Sequence, residues 1–368
     1  MNTLRCRACR AELNQENIMT VGHRLYCQDC WPHMAYICEE CGNIHHRTES
    51  YESQGRTLCE ECYRKEHPRC SQCGRLRHHS TFVVVDGVKM CAYCFAHLAE
   101  NDKRIWNYSR KPKARLHYTR LQRAIKDSMQ ANAPSWLLFG VENELSFDSV
   151  ETRYKAISAF RSIFKNTESF YLKHDGSLSN GVETVSHPRT LESWQALKPK
   201  LEKAFEKLRG FTNGLQDGLH VHISKRGMTE IHKKRFESFI VANQDLIEKI
   251  ARRLECHWCE YGARPTSGYH VMEKGDNYHR RKAVNWKNAN TVELRIFNST
   301  LDVNHYLASI EFCHAIYTFT KTRVNVYDCM QDKAPRMGGV FCDWVDHWHN
   351  DKYPHLAKFL TDNNLCYQ

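Results

Sequence analysis

The sequence predicts an α+β protein in which a domain of strands and helices follows three small metal-binding modules. Three observations carry this. Cysteines recur in a strict threefold pattern over the first hundred residues, polar residues then recur in pairs at strand spacing, and apolar residues between those pairs recur at helical spacing. A period of two lines one face of a strand, and a period of 3.6 lines one face of a helix.

With 368 residues the chain is long enough for about two or three domains and a sizeable core. Charged residues make up 26% and hydrophobic residues 41%, a globular balance. No apolar run approaches the roughly 18 residues that span a bilayer, and the opening MNTLRCRACR lacks an apolar signal core. A cytoplasmic location is expected. The net charge of +11 is concentrated in residues 103–126, where nine Lys or Arg and no acid are interleaved with Trp106, Tyr108 and Tyr118. Such a stretch serves either as a nucleic-acid stripe or as a solvated linker and helix face, and the linker is the simpler expectation.

The modules come first. C-x2-C pairs fall at Cys6/Cys9, Cys27/Cys30, Cys38/Cys41, Cys59/Cys62, Cys70/Cys73 and Cys91/Cys94, a repeat of C-x2-C-x17-C-x2-C every 32 residues. Two such hooks supply the four thiolates of a structural zinc site. Disulfides are disfavoured in a chain without a secretion signal. Pairing within each unit is expected, for about three structural zinc ions per chain, with pairing of Cys27/Cys30 to Cys38/Cys41 as the alternative. His45, His46, His78 and His79 are spare, since each unit already has four cysteines. The region resembles LIM-type, treble-clef or zinc-ribbon modules, which mostly bind proteins or nucleic acids. It spans residues 1–98, and a basic linker or helix is expected over 99–133.

Downstream, WLLFGVENELSFD (136–148) carries Glu142 and Glu144 at strand spacing within an apolar run. Two carboxylates on one buried strand face repel each other unless a cation separates them. A helix is expected near 150–165. In YLKHDGSLSNGVETVSHP (171–188), Asp175-Gly176-Ser177 reads as a turn and Glu183 lies in a strand stopped by Pro188. Thr190 caps an expected helix with Leu191, Trp194, Leu197, Leu201, Phe205 and Leu208 on its apolar face, closed by Gly210. DGLHVHIS (217–224) then places His220 and His222 on one strand face, and one long helix is expected from Thr229 to Leu254. NTVELRIFNSTLD (290–302) sets Glu293 and Arg295 together on a strand, opposite Val292, Leu294 and Ile296. Past residue 325 the chain is helical and aromatic.

Three strands thus carry polar pairs at the same spacing: Glu/Glu, His/His and Glu/Arg. Taken singly, each has a bland counterpart: a solvated acidic face, a satisfied histidine, a salt bridge. Taken together, carboxylates with a histidine hold divalent cations and an arginine binds phosphate, the set that phosphoryl transfer from a nucleoside triphosphate requires. No Walker-type or G-x-G-x-x-G loop is present, so metal and side chains must hold the phosphates.

FGVENEL, KHDGSLSNGVETVSHP, GLHVHIS and AVNWKNANTVELRIFNSTLD, in this order over residues 134–325, resemble the amidoligase family of phages and bacteria, which is related to glutamine synthetase and glutamate-cysteine ligase. The resemblance implies a curved antiparallel sheet as active-site floor, with 326–368 as a helical extension. It implies a ligase that spends ATP to phosphorylate a carboxylate, which an amine then converts to an amide on a peptide, protein or amino-acid substrate. On this resemblance Glu142, Glu144, Glu183, His220 and Glu293 become magnesium ligands and Arg295 the phosphate clamp. His222 and Ser224 line the nucleotide site, Asp175 and Ser177 border the substrate pocket, and Arg280, Arg281, Lys282 and Asn285 are further candidates for phosphate or carboxylate contact. A phage-encoded chain would work in the host cytoplasm. The chain departs from the family in ECHWCEYGARPTSGYH (255–270), whose Cys256/Cys259 pair is either a zinc hook with a distant partner or unliganded. Two other classes remain: a metal-dependent hydrolase, and a zinc-array binding protein with an inactive ligase domain. The array itself would bind protein or nucleic acid and could deliver the enzyme to a macromolecular substrate.

Overall fold

The computed structural model describes residues 4–85, 87–98, 102–129, 136–165, 168–178, 180–212, 217–262, 281–324 and 334–365. It divides into two compact units, Met1–Ala99 and Glu100–Gln368. Among the described residues no helix is long and apolar enough to cross a membrane.

The first unit repeats one small design three times. In each module the leading C-x2-C hook forms a turn, a hairpin brings in the third cysteine, and the fourth caps or enters a short helix. The hairpins are Ile18–Val21 with Arg24–Cys27, Ser50–Ser53 with Arg56–Cys59, and Phe82–Val85 with Val88–Cys91. The helices are Trp31–Met34, Glu60–Glu66 and Ala92–His97. The same backbone bonds recur at the 32-residue interval: Arg7 N–H to Leu25 O at 2.9 Å, Glu39 to Thr57 at 3.0 Å, and Ser71 to Lys89 at 3.0 Å. Each hook ends on a left-handed residue, Arg10 (φ 64°), Gly42 (φ 72°) and Gly74 (φ 71°), whose N–H returns to the carbonyl of the hook's first cysteine. Glycine suits that backbone, and Arg10 is the exception.

In every module the four sulfurs lie within 4.8 Å of one another, so the cysteines group within units: Cys6, Cys9, Cys27 and Cys30; Cys38, Cys41, Cys59 and Cys62; Cys70, Cys73, Cys91 and Cys94. Such a group could hold zinc. Burial opposes charge on the first sulfur of each group, yet backbone N–H donors outweigh it, lowering Cys6 and Cys38 to about 6 and Cys70 to about 7. The apolar clusters beneath are small, one of them comprising Cys6, Val21, Tyr26 and Ala35, so metal would supply much of the folding free energy. His46 and His78 link successive modules. His46 Nε2 lies 2.9 Å from the Tyr26 hydroxyl, and His78 Nε2 lies 3.2 Å from the side chain of Gln54.

The second unit is built on a six-stranded, wholly antiparallel sheet. Its strands are β1 (Phe139–Ser146), β2 (Phe170–Lys173), β3 (Gly181–Ser186), β4 (Gly218–Ser224), β5 (Val284–Asn285) and β6 (Thr291–Asn298), in the order β2-β3-β1-β4-β6-β5. One face carries Phe139, Val141, Leu145, Val182, Leu219, Val221, Ile223, Val292, Leu294 and Ile296, buried in the main core. Helix Val303–Thr322, buried on nearly every side, packs against that face near β4. Asn143 is the polar exception there. It is fully buried and satisfied by the Thr300 carbonyl and the Ser299 hydroxyl, at 3.2 and 3.0 Å.

Two expected helices are each split. Leu191–Gln195 ends before Lys198–Arg209 begins, because Pro199 has no N–H to continue the ladder. Glu230–Ala242 and Gln244–Ala251 part at Asn243, whose amide donates to the Phe239 carbonyl at 2.9 Å and competes with the helix. Thr190 and Thr229 cap their helices as their side chains allow. The C-terminal stretch forms Ala334–Trp348 and Pro354–Asp362. Within the basic stretch, Arg120–Met129 forms a helix, and the residues before it bond to the sheet unit. Trp106 N–H donates to the Leu172 carbonyl at 2.8 Å and His174 N–H to the Trp106 carbonyl at 2.9 Å, which ties Trp106 to β2, and a bridge from His117 to Arg189 ties the stretch to the segment that follows β3.

Candidate active site

The register brings the polar pairs together. Across the sheet Lys173 opposes Glu183, Glu183 opposes Glu144, Glu142 opposes His220, His222 opposes Glu293, and Glu293 opposes Asn285. Opposed residues share a face, so all six strands contribute to one polar floor. Strand β6 slips register between Leu219 and Val221 of β4, leaving Arg295 and Ile296 both opposite His220. This bulge is why Ile296 and Phe297, adjacent in sequence, are both buried in the core while Arg295 stays on the floor.

The side chains converge on His220, which is 3% exposed. Its Nδ1 lies 3.8 Å from Glu142 Oε2 and 3.6 Å from Glu293 Oε1, and its Nε2 lies 3.7 Å from Glu144 Oε1. His222 Nε2 lies 3.5 Å from Glu142 Oε1. Arg295 Nη1 donates to Glu293 Oε1 at 2.6 Å, and Asn285 Nδ2 donates to Glu293 Oε2 at 2.8 Å. The Gly218 N–H donates to Glu144 Oε2 at 2.8 Å. A Cβ at position 218 would sit 2.8 Å from His220 Nε2 and 2.9 Å from Glu144 Oε2, so the close approach requires glycine.

The donors fall into two groups whose atoms lie within 4.8 Å of one another: Glu142 with His220 and Glu293, and Glu144 with Asp175 and Glu183. The sequence placed Asp175 at a substrate border; its carboxylate stands among the acids, held by the backbone N–H and hydroxyl of Ser177. Burial works to raise Glu142, Asp175 and Glu183. On Glu142 the two histidines outweigh it and hold the carboxyl well below the ordinary range, whereas on Glu183 burial is reinforced by Glu142 and Asp175 and lifts it to about 10. Burial opposes charge on His222 and Arg295 too, but Glu142 raises the first and Glu293 the second. Glu183 Oε2 is buried without a hydrogen-bond donor among the described residues, with Lys173 Nζ 3.4 Å away.

Above the floor is a cavity of about 940 Å³. Tyr108, Ser109, Arg110 and Lys111 line it on the side of β2, and Arg253, Trp258, Arg281 and Lys287 also line it. Arg253 donates to the carbonyls of Arg295 and Phe297, both at 3.3 Å, and so holds the bulge. Of the sequence candidates, Glu142, Glu144, Asp175, Ser177, Glu183, His220, His222, Arg281, Asn285, Glu293 and Arg295 line the cavity. Ser224 and Lys282 do not: the Ser224 hydroxyl accepts from the Arg226 N–H at 3.3 Å, and Lys282 pairs with Glu260 at 3.3 Å. Arg280 lies outside the described residues. Lys173 was legible in YLKHDG as a strand residue two before Asp175, whereas nothing local announced Arg253 or the arm around Tyr108.

No family model matches the chain. No curated protein matches it either. Among solved structures it is similar to a chain in the crystal structure of the complex between prokaryotic ubiquitin-like protein Pup and its ligase PafA, at 12% identity and a TM-score of 0.32, over 61% of this chain and 62% of that one.

Proposed function

We propose that the second unit is an ATP-dependent carboxylate-amine ligase that forms an amide through an acyl phosphate. One observation carries it: five acids and a histidine sorted into two largely buried donor groups over one sheet face, beside a guanidinium fixed by Glu293. The donor set fits hard divalent cations, because oxygen predominates, Glu183 Oε2 is buried with no hydrogen-bond donor among the described residues and with Lys173 Nζ 3.4 Å away, and crowding of the acids disfavours their joint ionisation without a cation. Glu142, His220 and Glu293 would hold one magnesium and Glu144, Asp175 and Glu183 a second; such ions offset the charge of the β- and γ-phosphates.

The chain's own groups do the rest. Arg295 would bind the oxygens of the transferred phosphoryl group, with its geometry set by Glu293 and by the bulge that Arg253 pins. Asn285 keeps Glu293 in place, and Ser177 keeps Asp175. His222 would face the nucleotide, held by Glu142 and by Thr291 Oγ1 at 3.4 Å. Enclosure of the cavity by residues 108–111 would keep water from the acyl phosphate. The zinc array would bind the macromolecule that carries one of the substrates.

The test is phosphate release from magnesium-ATP with panels of carboxylates and amines. Release requires both partners, and Glu142→Gln and Glu293→Gln abolish it. The same two donor groups support a second reading, a metal-dependent hydrolase. Hydrolysis of a substrate with metal but without ATP would favour that one.

A further inference from the structure

We infer that Cys256 and Cys259 are a dithiol modification site: an oxidant of the peroxide class converts them to a disulfide, and closing that bond shifts Arg295. The effect on Arg295 as phosphate clamp rests on the ligase reading above. The pair needs an account of its own, because it belongs to no metal-binding group among the described residues.

The two cysteines exchange backbone bonds, Cys259 N–H to Cys256 O at 2.8 Å and Cys256 N–H to Cys259 O at 3.4 Å, so they flank a turn with His257 and Trp258 at its tip. A directly opposed pair of this kind sends both side chains to one face, and its Cα atoms stand about 5.5 Å apart, inside the range of about 4.4–6.8 Å that a disulfide spans. The surroundings agree: Cys259 is fully buried in the main core, and Cys256 packs against the same core. The other described cysteines outside the zinc groups, Cys313 and Cys342, are fully buried on separate helices.

The two sulfurs play different parts. Cys256 is partly exposed and has the Arg253 guanidinium beside it, Nη2 to sulfur at 3.7 Å, a setting that reactive thiols share. Burial pushes the Cys259 thiol up to about 12, so it waits as the protonated partner. The Cys256 sulfur attacks one peroxide oxygen, the O–O bond breaks, and Cys256 becomes a sulfenic acid with release of one water. The Cys259 sulfur then displaces the sulfenic oxygen, which leaves as a second water with the Cys259 proton. Two thiols and one peroxide thus give one disulfide and two waters.

Two sets of bonds carry the change to Arg295. The Trp258 carbonyl, inside the ring that the disulfide closes, accepts from Arg295 Nε at 3.5 Å. Arg253, whose Nη2 reaches the Cys256 sulfur, donates through Nη1 to the carbonyls of Arg295 and Phe297, both at 3.3 Å. Opposed Cβ atoms stand about 4.5–5.5 Å apart, whereas a disulfide holds them at about 3.5–4.5 Å, so the bond forms only as the turn tightens. Tightening moves the Trp258 carbonyl and puts a disulfide sulfur where Arg253 now meets a thiol. A disulfide closed against its backbone is also readily reduced, which makes the step reversible.

The experiment treats the full, zinc-loaded chain with equimolar hydrogen peroxide, maps its thiols by alkylation and mass spectrometry, and measures the affinity for magnesium tripolyphosphate by calorimetry before and after. The peptide holding Cys256 and Cys259 should become lighter by a pair of hydrogens and resist alkylation while zinc stays bound. Tripolyphosphate should bind roughly 10-fold more weakly, and dithiothreitol should restore both the thiols and the affinity. Cys256→Ser should hold its affinity within about twofold through the same treatment. The inference is overturned if the wild-type pair stays as thiols, if the disulfide forms and the affinity holds, or if oxidised Cys256→Ser weakens as wild type does. The mass change is read whether or not phosphate binds, so a reduced chain that binds no tripolyphosphate overturns the ligase reading while the disulfide stands or falls by itself.

Discussion

His220 stands directly across from Glu142 in the neighbouring strand, and its ring nitrogens lie within 3.8 Å of three carboxylates, those of Glu142, Glu144 and Glu293. A single imidazole on a strand of alternating residues therefore sits at the centre of acids contributed by two other strands.

Such crowding costs stability that function retains. Glu142→Gln or Glu293→Gln is expected to lower ATP-dependent phosphate release by roughly 100-fold or more, whereas Glu183→Gln, which removes the carboxyl that burial and neighbouring acids push up to about 10, is expected to leave thermal unfolding without added metal level or to raise it. A lower melting temperature in Glu183→Gln would place that carboxyl in the framework and not in the chemistry.

The bulge opposite His220 gives a second outcome. Arg253→Met removes the donor to the Arg295 and Phe297 carbonyls and is expected to lower kcat roughly 10- to 100-fold, with the KM for ATP within about threefold. A change confined to KM would mean that Arg253 binds nucleotide and does not position the clamp. Gly218→Ala should be similarly harmful, since its Cβ would meet His220 and Glu144; unimpaired turnover in that variant would show that the two side chains have room to move.

Much of this site was legible because a strand's period is two. Glu142/Glu144, His220/His222 and Glu293/Arg295 had to share faces whichever way the strands paired, and the cysteine repeat likewise favoured grouping within units while leaving Cys27/Cys30 with Cys38/Cys41 as the alternative. Register was not legible. That His220 meets Glu142 while His222 meets Glu293 depends on turns and loops, and the extra residue in β6 leaves no mark in TVELRIFN. Asp175 read as a turn residue because Asp-Gly-Ser is ordinary turn chemistry; only the turn's position beside β3 brings its carboxylate to Glu183. The arm around Tyr108 read as a linker because Lys and Arg dominate it, yet the backbone bonds of Trp106 to β2 need no particular side chain. The breaks at Pro199 and Asn243 were each signalled by the residue itself and masked by the regular apolar spacing around it.

The zinc array makes its own prediction. Metal analysis of the full chain should find about three zinc ions, and Cys38→Ser should remove about one while the other groups keep theirs. Wholesale loss from one substitution would show that the modules fold as one cooperative block.

The pH dependence of stability has a definite sign at His232, which is buried and whose Nε2 lies 3.0 Å from the Tyr317 carbonyl. Burial, with Lys321 and Arg235 nearby, lowers it from 6.5 to about 4. The unfolded chain thus binds this proton between those values and the folded chain does not, so stability present above about 6.5 is lost as pH falls toward 4. Denaturant unfolding of wild type and His232→Gln across that range should show wild type losing stability more steeply toward acid. Parallel curves would mean that His232 accepts its proton without cost.

The central claim is that this floor activates a carboxylate with ATP, and hydroxylamine trapping tests it most directly. The full chain, magnesium-ATP, a panel of amino acids and acidic peptides, and hydroxylamine in place of the amine should yield a hydroxamate together with an equal amount of phosphate, and none with Glu293→Gln. Metal-dependent cleavage of a substrate without ATP, or ATP consumption that never yields a hydroxamate with any carboxylate, would contradict it.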